Sequence, residues 1–227
     1  MIFRQFFDDT SWTYSYLIAD PLAKEAVIID PVLERTDHYI RAIRELNLTL
    51  VYAIDTHIHA DHITGSGQLK QATDCTTAIG SHAQVDCIDL KISEGLPIRF
   101  GKLQLSPIYT PGHTDDSYSF VMNDRVFTGD TLMIRSTGRT DFQNGDPGQQ
   151  YDSIFKKLLT LPDHYLIYPA HDYNGWTVSS IGEEKAHNPR LKVRSRTEYI
   201  DQMNNLKLAN PKLMDVAVPA NRKCGMI

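Results

Sequence analysis

Three imidazoles and a carboxylate crowd into the stretch Thr56-His57-Ile58-His59-Ala60-Asp61-His62. Imidazole nitrogen and carboxylate oxygen are ligands for zinc, iron and related ions, and histidines seldom cluster this tightly without one. The bland alternative is a set of solvated loop histidines. If the backbone stays extended through His59, His57 and His59 point to the same side, while Asp61 and His62 diverge as the chain turns. One loop can then serve two coordination positions. Further along, Thr110-Pro111-Gly112-His113, Thr128-Gly129-Asp130 and Pro169-Ala170-His171 each set another imidazole or carboxylate beside Gly or Pro, after an apolar run. The set His57, His59, Asp61, His62, His113, Asp130 and His171 holds enough nitrogen and oxygen donors for two metals bridged by Asp130, with no thiolate among them.

Such ligands need rigid supports, and the pattern around them supplies strands. Leu50–Ile54, rich in β-branched residues, reads as a strand that delivers the histidine cluster, and Ile63–Leu69 opens a helix running to about Thr73. Upstream, strands over Ile2–Phe7, Tyr14–Ala19 and Ala26–Asp30 form an antiparallel meander. A helix from about Glu34 to Asn47 follows, with Ile40, Ile43, Arg44 and Leu46 on its pattern and Leu33 and Tyr39 as further candidates for its buried side. Downstream come a short strand at Thr77–Ile79, a helix or loop over His82–Leu90, and a hairpin of Ile98–Phe100 with Leu103–Tyr109. A second hairpin, Ser117–Met122 with Arg125–Phe127, turns at Asn123-Asp124. Gly129–Pro147 reads as a long irregular loop of the functional kind, ahead of a helix at Gln149–Leu161. A last strand, Tyr165–Tyr168, precedes helices at Ser179–His187 and Thr197–Leu206. Strands in two groups with helices between and after them predict two packed sheets with helices outside.

A chain of 227 residues fits one sizeable α/β domain, so a single domain over 1–227 is expected. Hydrophobic residues at 41% and charged residues at 22% are ordinary for a globular protein, and the net charge of −5 gives no nucleic-acid footprint. The first residues lack a signal core or a transit-peptide composition, and no apolar run is long enough to span a bilayer; no membrane partner and a cytoplasmic location are expected. Cys75, Cys87 and Cys224 are odd in number and lack Cys-x-x-Cys spacing. That argues against a disulfide framework and a cysteine metal site, and makes Cys75 and Cys87 small buried side chains.

The His-x-His-x-Asp-His spacing resembles that of the metallo-β-lactamase superfamily, which implies an αββα sandwich with metals at one edge. Across Thr56–Gly67, Thr110–His113, Phe127–Asp130, Gly138–Phe142, Tyr168–Tyr173, Asn188–Leu191 and Val218–Asn221 the chain is similar, more narrowly, to the persulfide dioxygenases, the family of the ethylmalonic encephalopathy protein. The resemblance implies an oxidoreductase with one non-haem Fe(II) on His57, His113 and Asp130. It implies glutathione persulfide and O2 as substrates in sulfide oxidation, with sulfite and glutathione as products. His59, Asp61, His62 and His171 then orient ligands, carry protons or place a water. By residue count alone, all seven ligands of a two-metal hydrolase are present and zinc is the metal suggested. A dinuclear zinc hydroxyacylglutathione hydrolase of the glyoxalase II kind is therefore the alternative, although such enzymes carry a longer C-terminal helical region. A metal-bearing binding or sensing module is the third reading.

Three residues outside the ligand set suit a tripeptide substrate. Arg139 could meet a glutathione carboxylate through its planar fork, or pair with Asp141 instead. Tyr173 could hydrogen-bond a substrate or, in a catalytic role, an iron-bound oxygen, against ordinary packing with a satisfied hydroxyl. Arg222, with Lys223, could add positive charge for an anionic tripeptide. His38, His82, His164 and His187 fall outside the strand-end pattern and read as surface or cap residues. Cys224 reads as inert. A homo-oligomer and a sulfurtransferase partner are expected from the resemblance.

Overall fold

The computed structural model describes residues 1–208 and 213–225. The chain divides into two compact units, one comprising Met1–Ile92, Leu96–Leu105 and Asn210–Ile227, the other Ser93–Gly95 and Ser106–Ala209.

The first unit is built on a six-stranded sheet of β1 (Ile2–Asp8), β2 (Thr13–Asp20), β3 (Glu25–Ile29), β4 (Thr49–Asp55), β5 (Thr76–Gly80) and β6 (Leu90–Ile92), in that spatial order. β1, β2 and β3 are the expected antiparallel meander, and from β3 onward neighbouring strands are parallel. Parallel neighbours need a crossover, and α1 (Thr36–Glu45) and α2 (Ser66–Thr73) provide two of them. Leu17, Ala19, Ala26, Ile28, Leu50 and Ala53 from the strands pack with Tyr39 and Ile43 of α1 and Leu69 of α2, which explains the apolar positions on those helices. The parallel register Ile29↔Ile54 brings the ends of β3 and β4 side by side, so Asp30 and the histidine loop leave the sheet together. β7 (Ile98–Phe100) and the start of β8 (Leu103–Tyr109) form the expected hairpin, and α6 (Met214–Asn221) closes the unit.

In the second unit β8 continues from Ser106 and is followed by β9 (Tyr118–Val121), β10 (Arg125–Gly129), β11 (Leu166–Pro169) and β12 (Ser179–Ser180); the second sheet has the order β12-β11-β10-β9-β8-β7. Only β10 and β11 are parallel, and their register ends at Gly129↔Pro169. Asp130 and His171 therefore emerge from the same end of adjacent strands. α3 (Pro147–Lys156), α4 (Ile181–His187) and α5 (Arg196–Asn204) complete the unit, with Ile154, Leu158, Ile181, Tyr199 and Met203 packed on Val126 and Ile167. Each helix starts on a side-chain cap: Asp146 accepts from Gln149 N, Ser180 from Glu183 N and Ser195 from Glu198 N. His82–Asp89 contains no helix and leads into β6.

Two cysteine expectations are overturned, the absence of a disulfide and the burial of Cys87. Cys87 is half-buried rather than a small core side chain, and it is bonded to Cys224 across a sequence separation of 137. No local spacing could announce this pair, because the C-terminal segment reaches the β5–β6 loop only in the folded chain. Cys75 is buried and free, as expected. Among the described residues no helix is long and apolar enough to cross a membrane.

Candidate metal centre

In the first unit the loop after β4 is organised by Asp30, which follows an apolar strand much as Asp55 ends one and is not distinguished from it by residue type. Asp30 is buried, with a left-handed backbone (φ 50°). Its Oδ1 accepts from Thr56 N at 2.7 Å and from His59 Nε2 at 3.0 Å, and its Oδ2 accepts from Thr56 Oγ1 at 3.0 Å. The single proton of the Thr56 hydroxyl is thus committed to Asp30. Thr56 Oγ1 therefore accepts from His57 Nδ1 at 3.0 Å, which puts the His57 lone pair on Nε2.

The rings of His57, His59 and His62 lie in series, with centroids 4.1 Å and 4.3 Å apart, so His57 and His59 share a side and His62 stays beside them instead of diverging. His62 Nδ1 donates to Asp61 Oδ2 at 2.8 Å, and Thr13 Oγ1 donates to the same oxygen at 3.1 Å. His62 Nε2 is consequently the nitrogen with the lone pair, and it is buried with no hydrogen-bond partner among the described residues. His59, Asp61 and His62 each offer a ligand atom within 4.8 Å of the others. Burial opposes a charge on His59, but the carboxylates of Asp30, Asp61 and Asp55 outweigh it and push its pKa up to about 9. Asp55, which accepts from the Thr64 and Ser66 hydroxyls, is raised to about 6 by burial. The loop is held from its other side by Asn221 at the end of α6. Its Nδ2 donates to the carbonyls of His59 and His62, each at 2.9 Å, and its Oδ1 accepts from Thr64 N at 2.8 Å. Asn221 lies in the Val218–Asn221 stretch that carries the resemblance, but neither its residue type nor its spacing announces this role.

In the second unit His113 Nδ1 donates to the carbonyl of Arg139 at 2.7 Å, since a carbonyl can only accept; the lone pair is again on Nε2. That nitrogen lies 3.5 Å from Asp130 Oδ2. Two atoms each about 2.1 Å from a common ion can be no more than about 4.2 Å apart, so the pair fits one metal. Asp130 Oδ1 accepts from His171 Nδ1 at 2.7 Å. Gly138 is required by crowding here: a Cβ would fall 2.3 Å from the Asp130 carbonyl oxygen and 2.7 Å from His113 Nδ1. Gly112 has φ 135°, and a Cβ on it would lie 2.3 Å from Gln150 Cα, so the His113 loop lies directly on α3.

The residues suited to a substrate fall as follows. The Arg139 fork is on Asp141, at 2.5 and 2.6 Å, with its guanidinium carbon 4.9 Å from the Phe142 ring centre. Tyr173 is exposed and stacks on His171 at 6.1 Å. Arg222 is exposed on the first unit, and its carbonyl oxygen is 3.7 Å from Cys87 Sγ. His38, His82, His164 and His187 are all exposed, in keeping with surface roles.

In each unit an imidazole whose Nδ1 is engaged presents Nε2 beside a carboxylate and no thiolate, the donor chemistry of a borderline or hard divalent ion. The pattern of the metallo-β-lactamase superfamily matches residues 13–90 and 88–171. The chain is 48% identical to mouse and 47% identical to human mitochondrial persulfide dioxygenase ETHE1, in each case over all of this chain and 89% of the relative. The crystal structure of ETHE1 from Myxococcus xanthus superimposes with a TM-score of 0.97 at 53% identity, over 99% of this chain and all of that one. A metallo-β-lactamase structure from Staphylococcus aureus, 26% identical, covers 98% of this chain and 72% of its own at a TM-score of 0.92. The α/β fold, with its two mixed sheets and flanking helices, is thus that of the metallo-β-lactamase superfamily, and within it the chain belongs to the persulfide dioxygenases, a family of oxidoreductases.

Proposed function

We propose that this protein oxidises glutathione persulfide with O2 and water to sulfite and glutathione, using one Fe(II) per chain held by His57, His113 and Asp130. The observation that carries the reading is identity of 46–48% to persulfide dioxygenases along the whole chain. The thiolate-free donor set suits iron, and bound Fe(II) supplies O2 binding and electron exchange that zinc lacks. Thr56 and the Arg139 carbonyl keep His57 and His113 in the tautomer that presents Nε2. The His171 N–H on Asp130 Oδ1 leaves Oδ2 as the oxygen that faces His113. Thr13, Asp61 and His62 form a proton-bearing chain suited to placing water and accepting protons as sulfite forms. Arg139 takes a glutathione carboxylate by exchanging Asp141 for it, one carboxylate for another, and Tyr173 and the exposed Arg222 complete the recognition of the tripeptide.

Oxygen uptake by purified protein supplied with glutathione persulfide, with metal analysis of the same sample, tests this. Consumption of O2 at about one iron per chain is expected, and two zinc ions per active chain would sink it. The dinuclear zinc hydrolase remains the second reading because His59, Asp61 and His62 cluster closely and His62 Nε2 is buried without a partner among the described residues. The proposal extends to a cytoplasmic homo-oligomer fed by a sulfurtransferase, on the ground that a reactive persulfide is best made beside its consumer. Cell fractionation, solution mass and pull-down measurements check each part.

A further inference from the structure

We propose that Asn221 is a positioning residue for the His59–His62 loop, and that the Cys87–Cys224 disulfide is a redox latch on it, closed by persulfide and opened by thiol. The identity of the oxidant rests on the persulfide reading above.

The segment from Asn221 to Gly225 is fastened to the metal loop and its continuation at successive points. The Asn221 carboxamide holds two carbonyls and one amide of residues 59–64. The Cys224 carbonyl accepts from Gly67 N at 3.2 Å. A Cβ on Gly225 would lie 2.0 Å from the Thr64 carbonyl oxygen, so the two backbones touch. Cys224 has a left-handed backbone, φ 58°, a conformation costly for a residue with a Cβ and held by its surroundings, and Gly225 follows at φ 69°. The Cys224 side chain packs with Ile58 of the metal loop and with Ile79 and Val85, and it lines a small pocket together with His57 and His59. The disulfide ties this segment to Cys87 on the β5–β6 loop. What Asn221 imposes on the histidine loop therefore depends on a covalent bond that thiols can break.

Both directions of the switch balance. Two thiols open it: the disulfide and 2 RSH give two cysteine thiols and RSSR. One persulfide closes it: RSSH and two cysteine thiols give the disulfide, RSH and hydrogen sulfide, the two electrons passing from the cysteines to the terminal sulfur that leaves as sulfide. Attack is directed to Cys87, which is half-buried, whereas Cys224 is buried and departs. The exposed Arg222 and Lys223, adjacent to Cys224, favour approach by an anionic thiol or persulfide. In a reducing compartment a disulfide of this kind is a sensor rather than a staple. The latch thus reads the ratio of substrate persulfide to product thiol and holds the metal loop in order when substrate is abundant.

The test uses the iron-loaded full chain and counts alkylatable thiols after denaturation: one, Cys75, when the latch is closed, and three when it is open. Anaerobic glutathione persulfide should take the count from three to one with release of sulfide. Phosphine-reduced protein and Cys87→Ser should lose iron to a chelator roughly tenfold faster than the closed form. Asn221→Asp, isosteric but unable to donate to the two carbonyls, should lose iron faster in either thiol state, with kcat lowered and KM for persulfide unchanged. Circular dichroism checks that each variant is folded. Iron release that ignores thiol state in a folded protein would overturn the latch, as would three thiols persisting under persulfide; Asn221→Asp with wild-type release would overturn the positioning role. Loss of O2 uptake with the thiol dependence intact would instead count against the persulfide reading alone.

Discussion

Replacing Asp30 with Asn should weaken metal binding through a tautomer change two residues removed from any direct contact. Asn tolerates the left-handed backbone that Asp30 adopts at φ 50°, so strain is not the issue. The amide has two orientations. With its NH2 in place of Oδ1 it would confront the donors Thr56 N and His59 Nε2, leaving buried donors unsatisfied at about 1–3 kcal/mol each. With its oxygen there, both donors are kept, and the NH2 faces Thr56 Oγ1 instead. The Thr56 hydroxyl then accepts from the introduced amide and must send its own proton to His57 Nδ1, 3.0 Å away. The His57 proton moves to Nε2, and the nitrogen assigned to the metal becomes a donor. Outer-shell changes of this kind cost about 10- to 100-fold in metal affinity, or roughly 1.4–2.8 kcal/mol. Chelator competition measures the affinity, and the nitrogen shifts of His57 in metal-free protein report the tautomer. Thr56→Val removes the relay, so adding Asp30→Asn in that background should cost little more. Wild-type metal affinity in Asp30→Asn, or an equal loss with and without Thr56, would refute the relay.

His62→Ala should keep its iron and lose activity about 10- to 100-fold, whereas His113→Ala should lose the metal itself; loss of a metal equivalent from His62→Ala in a two-metal protein would end the mononuclear reading. Gly138→Ala should release iron and lower the unfolding temperature, because its Cβ would press on the Asp130 carbonyl and His113 Nδ1; unchanged metal content would show that the loop can yield. Arg139→Ala should raise KM for glutathione persulfide more than it lowers kcat, and steady-state kinetics that do not change would leave Arg139 as the partner of Asp141 alone. Metal-free protein should lose stability as pH rises from about 6.5 through about 9: His59 binds its proton more tightly folded than unfolded, so its contribution is complete below the unfolded pKa and gone above the folded one. A shift from 6.5 to about 9 corresponds to an effect on the order of 3 kcal/mol, readable in urea titrations and reduced in Asp30→Asn.

The ligand-bearing loops were legible because metal sites demand uncommon residue types, and each follows a strand whose apolar run announces it. β4 before His57, β8 before His113, β10 before Asp130 and β11 before His171 all lie within a residue or two of where periodicity places them. Short elements carry too little alternation by themselves: β6 has three residues and β12 two, whereas β7, also of three, is legible from the Gly101-Lys102 turn that pairs it with β8. α6 was hidden for a different reason. It holds Pro219 in its interior, which argues against a helix on local grounds, and it exists because its end is pinned to the histidine loop.

The side-chain roles that residue type and spacing do not announce share one physical property, namely partners far away along the chain. Asp30 acts on residues 26 and 29 positions downstream, Asn221 on residues 159 and 162 positions upstream, and Cys87 on a cysteine 137 positions away. Asp, Asn and Thr are common, and their side chains acquire a role only from the backbone groups that the fold sets before them. A metal ligand is recognisable by type because few side chains can do its work. A residue that fixes which nitrogen of that ligand bears the proton can be almost any hydrogen-bonding group, provided the fold delivers it. The tautomers of His57 and His113 are set by one carboxylate acting through a hydroxyl and by one main-chain carbonyl, and that carbonyl belongs to the very arginine whose side chain the sequence proposed for substrate. Arg139 therefore tests the distinction within a single residue: Arg139→Ala removes the guanidinium and leaves the carbonyl, so it should alter substrate capture while the His113 tautomer, and the metal with it, stays in place.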